Sequence, residues 1–218
     1  MGYAANMGFL DLGALEAAPV RHEPFDHLLL EGFVEAGARA AIAADYPIID
    51  KPGSFALADL SVRGAVAGLI DELRGDAFRR LIEEKFAVSL GERATTFTLR
   101  GMCGEKDGFI HTDSKSKIIT ILIYLNEDWA PDGGRLRLLR NNHDLDDYAA
   151  EVPPGFGTLV AFKRSDRSWH GHKPFVGARR VLQMNWVTSE KTAQWQHLRH
   201  RISAAVKRLT PARAESGI

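Results

Sequence analysis

The residues with the strongest chemical potential lie in GFIHTDSKSK, 108–117, where His111 and Asp113 are separated by one residue and precede the apolar run IITILIYL. In an extended strand, residues i and i+2 share a face. The spacing therefore lets an imidazole and a carboxylate converge on one point. Alone the pair is weak, because H-x-D arises by chance about half the time with eight histidines. Two ligands at one strand end need a third from elsewhere. SWHGHKP, 168–174, offers His170 and His172.

Two histidines and one carboxylate make the facial donor set of non-haem Fe(II) sites, which leaves the opposite side of the metal open to substrate and O2. An iron that activates O2 also needs two further electrons. If 2-oxoglutarate supplies them, its far carboxylate needs a buried cation, best a planar guanidinium. RRVLQMNWV, 179–187, brings two candidates, Arg179 and Arg180.

These residues must be held by a framework, and its outline is legible. FDHLLL, 25–30, reads as a strand, and 32–45 as a helix ending before Pro47. From 61 to 88 two apolar stripes follow helical spacing, Val62, Val66, Leu69, Ile70, Leu73 and then Phe78, Leu81, Ile82, Phe86, with Gly75 between them. From 95 to 188 short strands alternate with turns at PDGG and PPGFG. A last helix is expected over 190–209, striped by Trp195, Leu198, Ile202, Val206 and Leu209. The fold class expected is α+β with a mainly β core, a jelly roll flanked by helices. The organisation expected is one domain over 1–218. Residues 1–94 form helical support, 95–188 the core, and 189–218 a C-terminal helix and tail.

Composition excludes several classes. The 218 residues are 45% hydrophobic and 26% charged, an ordinary globular balance. Formal net charge is zero, so no global field points to nucleic acid. Cys103 is the single cysteine, which rules out an intramolecular disulfide. No signal-peptide pattern opens the chain, and no run reaches the roughly 18 apolar residues of a membrane span. A cytoplasmic protein is the expectation, with no membrane contact and a homodimer open.

In HTD at 111–113, ILIYLNEDWAPDGGRLRLL at 121–139, VPPGFGTLVAFKRSDRSWHGHKP at 152–174 and GARRVLQMNW at 177–186, the chain resembles the Fe(II)/2-oxoglutarate oxygenases, in their prolyl 4-hydroxylase-like branch. The resemblance implies a double-stranded β-helix, Fe(II), 2-oxoglutarate as cosubstrate and ascorbate as an accessory reductant. It implies hydroxylation of a C–H bond in a protein residue such as proline or in a small metabolite. It places His111, Asp113 and His170 as iron ligands, His170 standing four residues before Pro174. It gives the far carboxylate to Arg180, six residues before Trp186, with help from Tyr124. Strand alternation is taken to agree, with Arg180, Leu182, Met184 and Trp186 on one face assigned to the barrel interior. Where some relatives carry another tyrosine on the cosubstrate, this chain has Gly101. The alternative function is a non-catalytic metal-binding or interaction module on the same jelly roll.

Overall fold

The computed structural model describes residues 8–189; the helix expected over 190–209 lies outside them. The N-terminal part contributes α1 (Leu12–Ala17), β1 (His27–Leu30), α2 (Arg39–Asp45), β2 (Phe55–Ala56), α3 (Gly64–Arg74) and α4 (Asp76–Phe86). The β-rich part runs through β3 (Thr95–Cys103), β4 (Lys117–Tyr124), β5 (Leu136–Leu139), β6 (Tyr148–Val152), β7 (Leu159–Lys163), β8 (His170–Gly171) and β9 (Gly177–Val187). The helix expected from residue 32 is shorter, because Phe33 and Val34 are buried in extended chain and Val34 N–H donates to Gly157. Gly75 divides α3 from α4, as the break between the two stripes requires.

The strands form an antiparallel jelly roll in two layers. Six strands pair in the order β1-β7-β4-β9-β3-β2 and three in the order β6-β5-β8. The large sheet has two different faces, and this difference positions everything else. One face carries Phe97 and Leu99 of β3, Ile119, Ile121 and Ile123 of β4, Leu159 and Ala161 of β7, and Leu182, Met184 and Trp186 of β9. It is covered by the helices through Leu69, Leu73, Phe78 and Ile82, with the Trp186 ring stacked on Phe78 at 6.0 Å between centroids. Burying each such large apolar side chain contributes about 1.5–3 kcal/mol.

The opposite face looks toward the small sheet. Near one end it is apolar, where Val160, Phe162, Val181 and Tyr124 meet Leu136, Leu138 and Val152. Elsewhere it is polar: Thr98 and Arg100 of β3, Thr120 of β4, and Arg179, Gln183 and Asn185 of β9 line a cavity of about 460 Å³. That volume lies in the range of small-molecule sites.

Besides α1 and β2, two strands of the small sheet went unread in the sequence. The acidic stretch 141–152 looks like a mobile cover over the site, yet its second half is β6, paired with β5 from Leu136↔Val152 to Leu139↔Tyr148. Arg137 fixes it from β5 with ion pairs to Glu151 and Asp146 at 2.6 Å each. The two-residue β8 is too short for periodicity to reveal. Among the described residues no helix is long and apolar enough to cross a membrane.

Candidate metal and cosubstrate site

His111 follows a loop whose tightest point is Gly108, at φ +95°. A side chain there would meet the backbone oxygen and ring of His172, so only glycine lets the chain pass. His111 and His170 are then joined by a reciprocal pair of backbone hydrogen bonds, 3.0 Å each, with ring centroids 4.4 Å apart. Asp113 completes the group: donor atoms of His111, Asp113 and His170 all lie within 4.8 Å of one another.

The imidazole tautomers suit metal ligation. His111 Nδ1 donates to the Phe109 carbonyl at 2.8 Å, and His170 Nδ1 donates to the Ser168 carbonyl at 2.9 Å. Each Nε2 is thereby left with its lone pair, the atom a metal takes. Burial lowers the pKa of His170 to about 4, partly opposed by Asp113, so the ring is neutral at physiological pH. Burial works against the charge of Asp113, but Lys117, His170 and the Thr120 hydroxyl outweigh it and hold the carboxyl well below its usual range. The site thus presents two imidazoles and a carboxylate on one side of an open cavity. This donor set fits Fe(II).

Asp113 is oriented from both oxygens. Lys117 Nζ donates to Oδ1 at 2.7 Å, and Thr120 Oγ1 donates to Oδ2 at 2.5 Å. Behind Thr120 the contacts continue through Asn185 to Gln183 and Thr96, all at 3.0–3.2 Å. Sequence reading missed Lys117, Thr120 and Asn185. The available signal was Thr120 and Asn185 standing inside otherwise apolar strands. We expect Thr120→Val, which keeps the volume and removes the hydroxyl, to weaken metal binding roughly 10- to 100-fold. Thr120→Ser should restore it, with the melting temperature of both variants checked alongside the metal titration.

The arginine expectation requires correction. Arg179, not Arg180, enters the cavity. Arg179 is 6% exposed, donates from Nε to the Gly134 carbonyl at 2.8 Å, and donates from Nη2 to the Tyr124 hydroxyl at 3.1 Å. Arg180 points the other way, with its guanidinium 5.3 Å over the Tyr46 ring. The face shared by Leu182, Met184 and Trp186 is the one packed against the helices, so the offset from Trp186 and the shared face select the arginine on the helix side. Tyr124 is fully buried behind Arg179 rather than on the cavity wall, and it meets the guanidinium through its hydroxyl. Gly101 does not face the cavity; a side chain there would run into Ile49. His172 lines the cavity close to Cys103, its Nε2 3.8 Å from Sγ, and lies outside the ligand triad. Burial lowers its pKa to about 4, helped by Arg179.

Residues 102–188 match the family model of the 2OG-Fe(II) oxygenase superfamily, whose members use Fe(II) and 2-oxoglutarate. No curated protein matches the sequence. Solved structures share the fold. A prolyl-4-hydroxylase from Pseudomonas putida superposes with a TM-score of 0.53 at 19% identity, covering 85% of this chain and 97% of that one. A prolyl 4-hydroxylase from Phytophthora capsici gives 0.58 at 18% identity, covering 92% and 78%. HygX from Streptomyces hygroscopicus, solved with nickel, 2-oxoglutarate and hygromycin B, gives 0.51 at 10% identity, covering 75% and 83%.

Proposed function

We propose that this chain, which resembles the prolyl 4-hydroxylase-like 2OG-Fe(II) oxygenases, is a dioxygenase that hydroxylates a C–H bond of a second substrate while converting 2-oxoglutarate and O2 to succinate and CO2. One observation carries the reading: a His111–Asp113–His170 donor triad and a buried guanidinium, Arg179, line the same cavity. A metal-binding module without turnover has no use for both.

His111, Asp113 and His170 would hold Fe(II), and Arg179 would take the far carboxylate of 2-oxoglutarate. Fe(II) with 2-oxoglutarate supplies the O2 activation and the electrons when bound. The chain's own residues do the rest. The Phe109 and Ser168 carbonyls fix the two imidazole tautomers. Thr120 and Lys117 set the angle of the Asp113 carboxylate. Gly134 and Tyr124 hold the Arg179 fork, so a bidentate pair with a carboxylate forms without reordering a long side chain. Val160, Phe162 and Leu136 keep water from the apolar end between the sheets.

The substrate splits the relatives. Those from Pseudomonas putida and Phytophthora capsici are prolyl hydroxylases, whereas HygX was solved with hygromycin B, a small molecule. The direct test is succinate release from 2-oxoglutarate by the purified full chain with Fe(II) and ascorbate, against a panel of peptides and metabolites. Succinate formation that requires Fe(II) and rises with one substrate class supports the reading. Tight metal binding with no 2-oxoglutarate binding would favour the module instead.

A further inference from the structure

Resting on the proposed oxygenase reading, the two flanks of the cavity floor divide the labour. β9 lies between β4 and β3. The metal triad is tied to the β4 flank through Thr120, and Arg179 leans the same way, onto Tyr124. A cosubstrate reaching from the triad to Arg179 therefore lies along β4 and β9. The β3 flank is left over, and it is polar: Thr98 stands opposite Gln183 in the strand register, with Arg100 next along the same face and Ser54 beside it.

Arg100 is held like a recognition group. Nη2 donates to Ser54 Oγ at 3.3 Å, and Nη1 lies 2.9 Å from Asp107 Oδ2. That approach lacks hydrogen-bond geometry, so the buried Nη1 is held by the charge of Asp107 and is not itself offered to a ligand. A guanidinium offers five N–H donors, and in Arg100, which lines the cavity, Nε–H and the second Nη2–H are outside these contacts. Charge points the same way. Arg100, Lys117 and Arg179 line the cavity against Asp113 alone. Fe(II) and dianionic 2-oxoglutarate bring equal and opposite charge, so the loaded site stays positive even with Asp107 counted.

We propose that the β3 flank is the substrate subsite, that it takes a small, hydroxyl-bearing molecule carrying a carboxylate or phosphate, and that Arg100 reads the anion. Thr98 and Gln183 would meet the hydroxyl groups. A prolyl ring presents neither charge nor hydroxyl to such a wall.

The test is calorimetry on the full chain loaded with Mn(II), a redox-silent stand-in, and 2-oxoglutarate. The probes are gluconate, glucose phosphate, neutral glucose and a short Pro-Pro-Gly peptide; the first two separate carboxylate from phosphate. At least one charged probe should bind about tenfold or more tightly than glucose or the peptide. Arg100→Ala should erase that preference and Arg100→Lys keep part of it, with Mn(II) and 2-oxoglutarate affinities unchanged. Arg100→Gln serves if the alanine variant does not fold. Preferential binding of the peptide, equal binding of glucose and the charged probes, or no binding of any probe overturns the proposal. So does weaker 2-oxoglutarate binding in the Arg100 variants, which would make Arg100 part of the cosubstrate site. Failure of the oxygenase reading is a different result: the Mn(II)-loaded wild type would not bind 2-oxoglutarate at all.

Discussion

Asp113→Ala is expected to lower Fe(II) affinity by more than about 100-fold and to abolish 2-oxoglutarate turnover. Even losing a residue that only orients a ligand costs roughly 10–100-fold, so losing the anionic ligand must cost more. The substitution also leaves Lys117 without its carboxylate partner in a largely buried position. Asp113→Asn is therefore the better control, since it keeps the shape and an acceptor for Thr120 while removing the charge. His170→Ala should behave like Asp113→Ala, and His172→Ala should keep its metal. The measurement is metal content after desalting, with circular dichroism confirming the fold. Loss of metal from His172→Ala together with retention in His170→Ala would show that the ligand set is wrong.

Arg179→Ala is expected to raise the dissociation constant of 2-oxoglutarate at least about tenfold while metal content stays the same. A net 1.5–3 kcal/mol for a hydrogen bond to a charged group corresponds to roughly 10- to 150-fold. Arg180→Ala should change it little, because Arg180 lies over Tyr46 on the helix-covered side. Arg179→Lys should recover only part of the affinity, since an ammonium cannot reproduce a two-pronged contact. Titration of the Mn(II)-loaded protein separates these cases. A large effect at Arg180 with none at Arg179 would put the register of β9 off by one. No effect at either would remove the cosubstrate assignment.

The two arginines also mark where sequence reading stopped. The H-x-D pair was readable as a ligand pair, although the structure does not set it on a strand: His111 makes an isolated bridge to His170, Asp113 lies in the loop before β4, and the loop brings both to one point with His170. Helices α3 and α4 were readable from their stripes and from Gly75. Choosing between Arg179 and Arg180 needed knowledge of which sheet face meets the helices. Alternation separates the two faces of β9 but does not say which is inside. The apolar face looked like an interior and is one, but it is the interior beneath the helices. The better signal was the other face, where Arg179, Gln183 and Asn185 sit in an otherwise apolar strand. Polar residues are costly to bury there unless they line a site. β6 escaped because an acidic run reads as solvated loop until Arg137 is known to neutralise it.

The reciprocal main-chain bonds between His111 and His170 bear on how such a site changes over evolutionary time. Peptide groups hydrogen-bond in the same way whatever side chain they carry. The spacing of these two positions is thus inherited from the backbone, not from the imidazoles. Drift or selection can replace either donor without dismantling the scaffold that presents it. Asp113 has no such insurance, since its aim depends on Lys117 and Thr120. Innovation in this lineage should therefore be easier at the histidine positions, one residue at a time. The carboxylate should change only together with its neighbours.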